Sequence, residues 1–133
     1  MLLTLPLAAC AGDSRECETP LDPPDGFTRV DALEEEYEDR VGVRLTYQDE
    51  GDRLFHSAAG IPGEWGEGLP LAGEVPLASG GTAVLLEGIE GIWFAIWEQG
   101  DRCDPRVVIG DGFDRSEFLA VLEDAGIASP QSG

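Results

Sequence analysis

Thr28-Arg29-Val30-Asp31-Ala32-Leu33-Glu34-Glu35-Glu36-Tyr37-Glu38-Asp39-Arg40-Val41-Gly42 is the stretch on which the reading of the fold turns. Val30, Leu33, Tyr37 and Val41 fall at spacings of three, four and four, which is one apolar stripe on a helix. Thr28 stands where an N-cap should, with Asp31 three residues on as a variant capping box. Glu34, Glu35, Glu36, Glu38 and Asp39 form the opposite, solvated face, and Gly42 follows as a left-handed stop. The pattern predicts a helix over about 29–40.

Downstream, the period changes to two. Val43, Leu45 and Tyr47 alternate with Arg44, Thr46 and Gln48, a half-exposed strand, and Asp49-Glu50-Gly51-Asp52 turns it back into Leu54–Ala58. Residues 60–81 hold seven Gly and three Pro, too many for regular structure throughout, although short extended pieces fit Leu69–Ala72 and Glu74–Leu77. Thr82–Leu86, Ile92–Trp97 and Arg106–Ile109 read as stronger strands. Both alternating faces of Ile92–Trp97 are apolar, as in a central strand covered on each side. A helix could cover one face, and the 60–81 segment is left for the other, so Trp65 can pack down onto the sheet.

The last element is the clearest. Asp114 and Glu117 make a capping box, Phe113 and Phe118 a hydrophobic staple, and Gly126-Ile127 a Schellman ending. This predicts a helix over about 115–125. The expected architecture is therefore α+β: a single domain over 27–128, with an antiparallel sheet of about five strands and an N-terminal and a C-terminal helix packed on it. Residues 129–133 read as a disordered tail.

The chain has 133 residues, with 8 basic against 27 acidic side chains and a net charge of −19. Every base is Arg. Such a balance excludes nucleic acid as a partner, because phosphate neutralisation needs clustered cations. It equally disfavours electrostatic adsorption to anionic lipid. No apolar run is long enough for a transmembrane helix.

The opening residues carry an address. Residues 2–9 are apolar or small, and Leu7-Ala8-Ala9-Cys10 then places a branched residue and two small ones before a Cys, followed by the polar Ala11-Gly12-Asp13-Ser14. This resembles the lipobox of bacterial lipoproteins. The resemblance implies cleavage before Cys10, with Leu7, Ala8 and Ala9 recognised by the signal peptidase, and a diacylglycerol thioether on Cys10. Residues 1–9 are then a signal-peptide remnant whose basic start lies upstream, and 10–26 a lipidated, acidic, Pro-containing tether. Setting Cys10 aside leaves Cys17 and Cys103, an even pair suited to a disulfide outside the cytosol. The Trp-containing strand 93–97, the turn Gly110-Asp111-Gly112-Phe113 and the terminal capped helix are similar to those of small extracytoplasmic lipoprotein domains of high-GC actinobacteria. That resemblance implies a fold and a location, with no activity attached.

Chemistry is sparse. His56 is the only histidine, beside Ser57 on an expected strand, and no Gly-x-Ser-x-Gly elbow presents a nucleophile. Gly60–Gly68 lacks the Gly-Lys-Ser/Thr end of a phosphate loop. Acidic turns at 49–52, 101–104 and 111–117 suit a hard cation in type but match no EF-hand spacing. The residues thus indicate no catalytic group, metal or cofactor. Ile61, Glu64, Trp65, Glu67 and Leu69, in the Gly-rich segment, form the candidate partner surface. The expected function is a monomeric, non-enzymatic, lipid-anchored domain on the extracytoplasmic face of a bacterial membrane, binding an envelope protein or a small or cationic ligand. Two other classes are a small envelope hydrolase using a carboxylate pair and a cytosolic acidic domain.

Overall fold

The computed structural model describes residues 15–20, 23, 25–63 and 65–130. Seven strands and one helix follow in order: β1 (Thr28–Glu36), β2 (Val41–Gln48), β3 (Leu54–Ala59), β4 (Leu71–Pro76), β5 (Thr82–Glu87), β6 (Ile92–Trp97), β7 (Arg106–Asp111) and α1 (Arg115–Asp124). The strands form one sheet in the order β1-β2-β3-β7-β6-β5-β4, and every neighbouring pair is antiparallel. Two meanders, β1-β2-β3 and β4-β5-β6, are thus joined by β7, which comes last in sequence and lies in the middle.

This corrects the expected fold class. Two helices on a five-stranded sheet become a seven-stranded antiparallel sheet with, among the described residues, a single helix after the last strand. The segment read as the N-terminal helix is β1. On a helix, Glu34–Glu38 and Glu35–Asp39 would be like-charged i,i+4 pairs, each unfavourable. As a strand, alternation sends Glu34 and Glu36 to one side and Glu35 to the other. Hydrogen bonding to β2, from Thr28↔Gln48 to Glu36↔Val41, satisfies the inner edge of the backbone. The apolar stripe that suggested a helix is not buried as one: Val30 is 53% and Leu33 37% exposed, while Val41 belongs to β2. Gly42 ends no helix either. It lies within β2, where a Cβ would stand 2.7 Å from both the Gly60 carbonyl oxygen and Ile61 Cγ1, so the glycine serves a close approach of the chain.

The remaining strands follow their two-residue period. One face of the sheet carries Tyr47, Phe55, Leu85, Trp93, Ala95 and Val108, and packs with Phe113, Phe118 and Leu122 into the main core. Phe55 stacks on Phe118 with ring centroids 5.7 Å apart. Gly110 leaves room for this contact, because a Cβ there would meet Phe118 Cδ1 at 2.5 Å. Asp114 caps α1 and Glu117 completes the reciprocal box. At the other end Gly126 takes φ +80°. Its amide donates to Glu123, and that of Ile127 to Leu122, which is the Schellman pattern.

The opposite face carries Leu54, Leu86, Ile92, Phe94, Ile96 and Ile109, all half-buried. The connection from β3 to β4 runs across it, because those strands stand at positions three and seven of the sheet. Gly66 sits close on this surface: a Cβ there would meet Leu86 Cδ1 at 2.7 Å and the Phe94 ring at 3.6 Å.

Candidate functional site

Residues 15–17 are fastened to the sheet before the domain begins. The Cys17 amide donates to the Val41 carbonyl at 2.9 Å and the Val41 amide to Arg15 at 2.8 Å, a short parallel bridge beside the start of β2. Cys17 then bonds to Cys103, with Cα atoms 5.7 Å apart. The expected disulfide is therefore present, and it fixes the N-terminal segment to the loop before β7. Leu7, Ala8, Ala9 and Cys10 lie outside the described residues, as does Glu64.

The loop that receives the disulfide is held by charge. Arg106, nearly buried, reaches both Asp101 and Asp104. The Asp104 carboxylate also accepts from the amides of Gln99, Gly100 and Asp101, and Asp101 accepts from Cys103. The Arg106 hydrogen bond chiefly holds the Asp101 carboxyl below its ordinary range, against some desolvation. For Asp104, desolvation pushes upward but is outweighed by the Gln99 and Gly100 amides and by Arg106. The turn at 49–52 uses its acid in the same way: Asp49 accepts from the Gly51 and Arg53 amides and pairs with the Arg53 guanidinium at 2.7 Å. These carboxylates serve as internal turn partners, and among the described residues no group of three or more His, Cys, Asp or Glu is arranged to hold a metal ion. Nor, among those residues, is any helix long and apolar enough to cross a membrane.

His56 lies across from Thr46 in the β2–β3 register, with its Nδ1 3.0 Å from Thr46 Oγ1. Burial lowers its pKa, helped by the Arg44 charge and opposed by Asp111 and Asp31. Ser57, the next residue, is fully buried on the other face of β3. Adjacent in sequence, the two side chains are separated by the sheet.

In the 60–70 connection, Ile61 is buried, Trp65 and Leu69 are half-buried, and Glu67 is exposed. The indole of Trp65 donates to the Ile61 carbonyl at 2.9 Å, closing the loop on itself. Its apolar side chains pack inward, leaving Pro62, Gly63, Glu67, Gly68 and Pro70 as the exposed residues among those described.

A wider opening lies elsewhere. A groove of about 720 Å³ is bounded by Glu16, Cys17, Glu18 and Thr19 on one side, Arg29, Ala32 and Glu34 of β1 on the other, and Val43 and Leu45 of β2 beneath. It has an apolar floor with Glu16, Glu18 and Glu34 at its rim. Comparisons with protein-family models, with curated proteins and with solved structures find no match. The geometry is therefore argued on its own. Reading residues 29–40 as a helix hides this groove; the like-charged pairs Glu34–Glu38 and Glu35–Asp39 were the signal against it.

Proposed function

We propose that this chain is a lipid-anchored domain of the bacterial cell envelope that acts by binding a partner and not by catalysis. The observation that carries the reading is the Cys17–Cys103 disulfide. It uses both cysteines of the domain and leaves, of three in the chain, only the Cys10 of Leu7-Ala8-Ala9-Cys10. A disulfide closing 86 residues of sequence suits an oxidising compartment, and a Cys behind two small residues suits lipidation. Binding is favoured over chemistry because the polar groups weighed for chemistry have structural partners. His56 is engaged by Thr46, and Asp49, Asp101 and Asp104 are tied to arginines and backbone amides. Two acyl chains on one cysteine suffice for stable retention at a bilayer.

The test is the intact mass of the protein from the membrane fraction of its own host, with and without Cys10→Ala. A chain beginning at a diacylated Cys10, and lost from membranes on substitution, is expected. An unmodified chain still carrying Met1 in the soluble fraction would overturn the proposal.

A further inference from the structure

All nine residues of β1 are exposed, on both faces of the strand. It is the terminal strand of the sheet, so its outer row of backbone N–H and C=O groups has no strand beside it among the described residues. The other edge is treated differently. Both edge strands carry a register shift, between Arg29 and Asp31 in β1 and between Leu71 and Gly73 in β4, but β4 is shorter, six residues against nine, and ends in Pro76. The chain beyond α1 closes over that end, through the Leu77↔Ala128 bridge and the Ser129 amide on the Pro76 carbonyl. One edge is blunted by the usual devices, and the other is long and open.

We propose that β1 is a docking strand, and that its occupant is a basic, extended segment of another polypeptide, added to the sheet along the outer edge of β1, with the side chains of one face reaching over Ala32 and Glu34 toward the 720 Å³ groove. Charge identifies the occupant. β1 presents Asp31, Glu34, Glu35 and Glu36 against one Arg29, and the groove wall adds Glu16 and Glu18. A second copy of this strand would set acid against acid, which is unfavourable across a pair. Charges of a single sign therefore protect this edge from its own kind while admitting a segment of the opposite sign. The given sequence offers no such segment, since its 8 Arg stand singly among 27 acids. Alternation defines its pattern: Ala32 and Glu34 face the groove with Val43 and Leu45, while Asp31, Leu33 and Glu35 face the other way. Basic residues on the groove side would meet Glu34 and Glu36, and apolar ones on the other side would lie against Leu33. The inference develops the binding half of the proposed function and rests on that half alone; lipidation of Cys10 plays no part in it.

The test uses the full chain and a nine-residue acetylated, amidated peptide alternating Lys and Val, matched to the length of β1. A companion peptide carries Pro at two central Val positions and keeps the same charge. Amide chemical shifts and hydrogen exchange are followed during titration. The alternating peptide should perturb and protect residues 28–36 and shift 16–19. The Pro companion should bind roughly tenfold more weakly, because it cannot complete the ladder. A triple variant, Glu34→Gln, Glu35→Gln and Glu36→Gln, should weaken binding by roughly tenfold, with unchanged thermal unfolding as the check on folding. Equal binding by both peptides would reduce the effect to diffuse charge and overturn the proposal. So would shifts centred outside β1 and the groove, concentration-dependent pairing of the protein with itself through β1, or no binding at millimolar peptide. Each of these leaves the mass measurement on Cys10 unaffected.

Discussion

Removing the Cys17–Cys103 bond by Cys17→Ala with Cys103→Ala is the perturbation whose size follows most directly from the topology. The bond closes a loop with a sequence separation of 86. The loop-entropy relation for that length gives about 4.6 kcal/mol of stabilisation at 25 °C, acting on the unfolded chain. Both cysteines are buried, and Cys17 lies against Gly60, where a Cβ would come within 2.5 Å of its sulfur. Alanine keeps small apolar contacts there, so the entropic part should dominate. The two backbone hydrogen bonds at Val41 remain, but they tie down only Arg15–Cys17. With a urea slope of about 1.5 kcal/mol/M, the unfolding midpoint should fall by about 3 M. A loss of that size is a large part of the stability of any domain of this length. Equilibrium urea unfolding of the oxidised wild type and the double variant measures it. Trypsin provides a local reading, since cleavage after Arg15 should accelerate once the segment is no longer cross-linked. A midpoint shift below about 1 M would refute the loop-entropy reasoning.

Other expected outcomes are more local. Gly110→Ala would drive a methyl into Phe118 and Phe113 in the closed core and should cost about 1–3 kcal/mol in thermal unfolding. Because burial lowers the His56 pKa from its ordinary 6.5, protonation favours the unfolded chain. Its contribution is therefore present above about pH 6.5 and lost as pH falls below that value. His56→Gln should remove this component, read as the difference between the two stability-versus-pH curves, since relief of acidic repulsion acts on both. The depressed carboxyls of Asp101 and Asp104 contribute above about pH 4 and lose that contribution as acid protonates them. Arg106→Gln should flatten this acid limb and cost about 2 kcal/mol at neutral pH, as expected for hydrogen bonds between charged groups.

Much of this fold was legible where one period dominated. β2 showed clean alternation, β6 was an unbroken apolar run, and α1 announced both its ends through Asp114, Glu117 and Gly126. The disulfide followed from cysteine parity. β1 was missed because two signals competed in it. The spacing of Val30, Leu33 and Tyr37 suits a helix, yet a helix needs a surface to bury that stripe on, and the two faces of the sheet are taken, one by α1 and the other by the 60–70 connection. Nothing local in the sequence reports that occupancy. The strand count fell short for a related reason: β4 contains Gly73 and ends in Pro76, residues that weaken a strand signal and are tolerated at an edge. That the 60–81 segment covers one face of the sheet was legible from the two apolar faces of Ile92–Trp97, and Ile61 and Trp65 do lie inward there; the same packing leaves the candidate partner surface at 61–69 little exposed apolar area. The groove beside β1 depends on a long-range bridge between Glu16 and Val41, which no spacing rule encodes.

The bond between Cys17 and Cys103 also decides how the molecule would bear tension. A pull applied upstream of Arg15 enters at Cys17 and passes covalently to Cys103, one residue from Asp104-Pro105 and then β7. β7 is hydrogen-bonded on both sides, to β3 and β6, so the load is shared by the two ladders at the centre of the sheet. Without the bond, the same pull would strip two hydrogen bonds at Val41 and then reach Thr28, the first residue of the outermost strand. β1 would peel from β2 one rung at a time, the mode in which a sheet resists least. A single cross-link near the N-terminus thus moves the point of attachment from the weakest seam of the sheet to its middle.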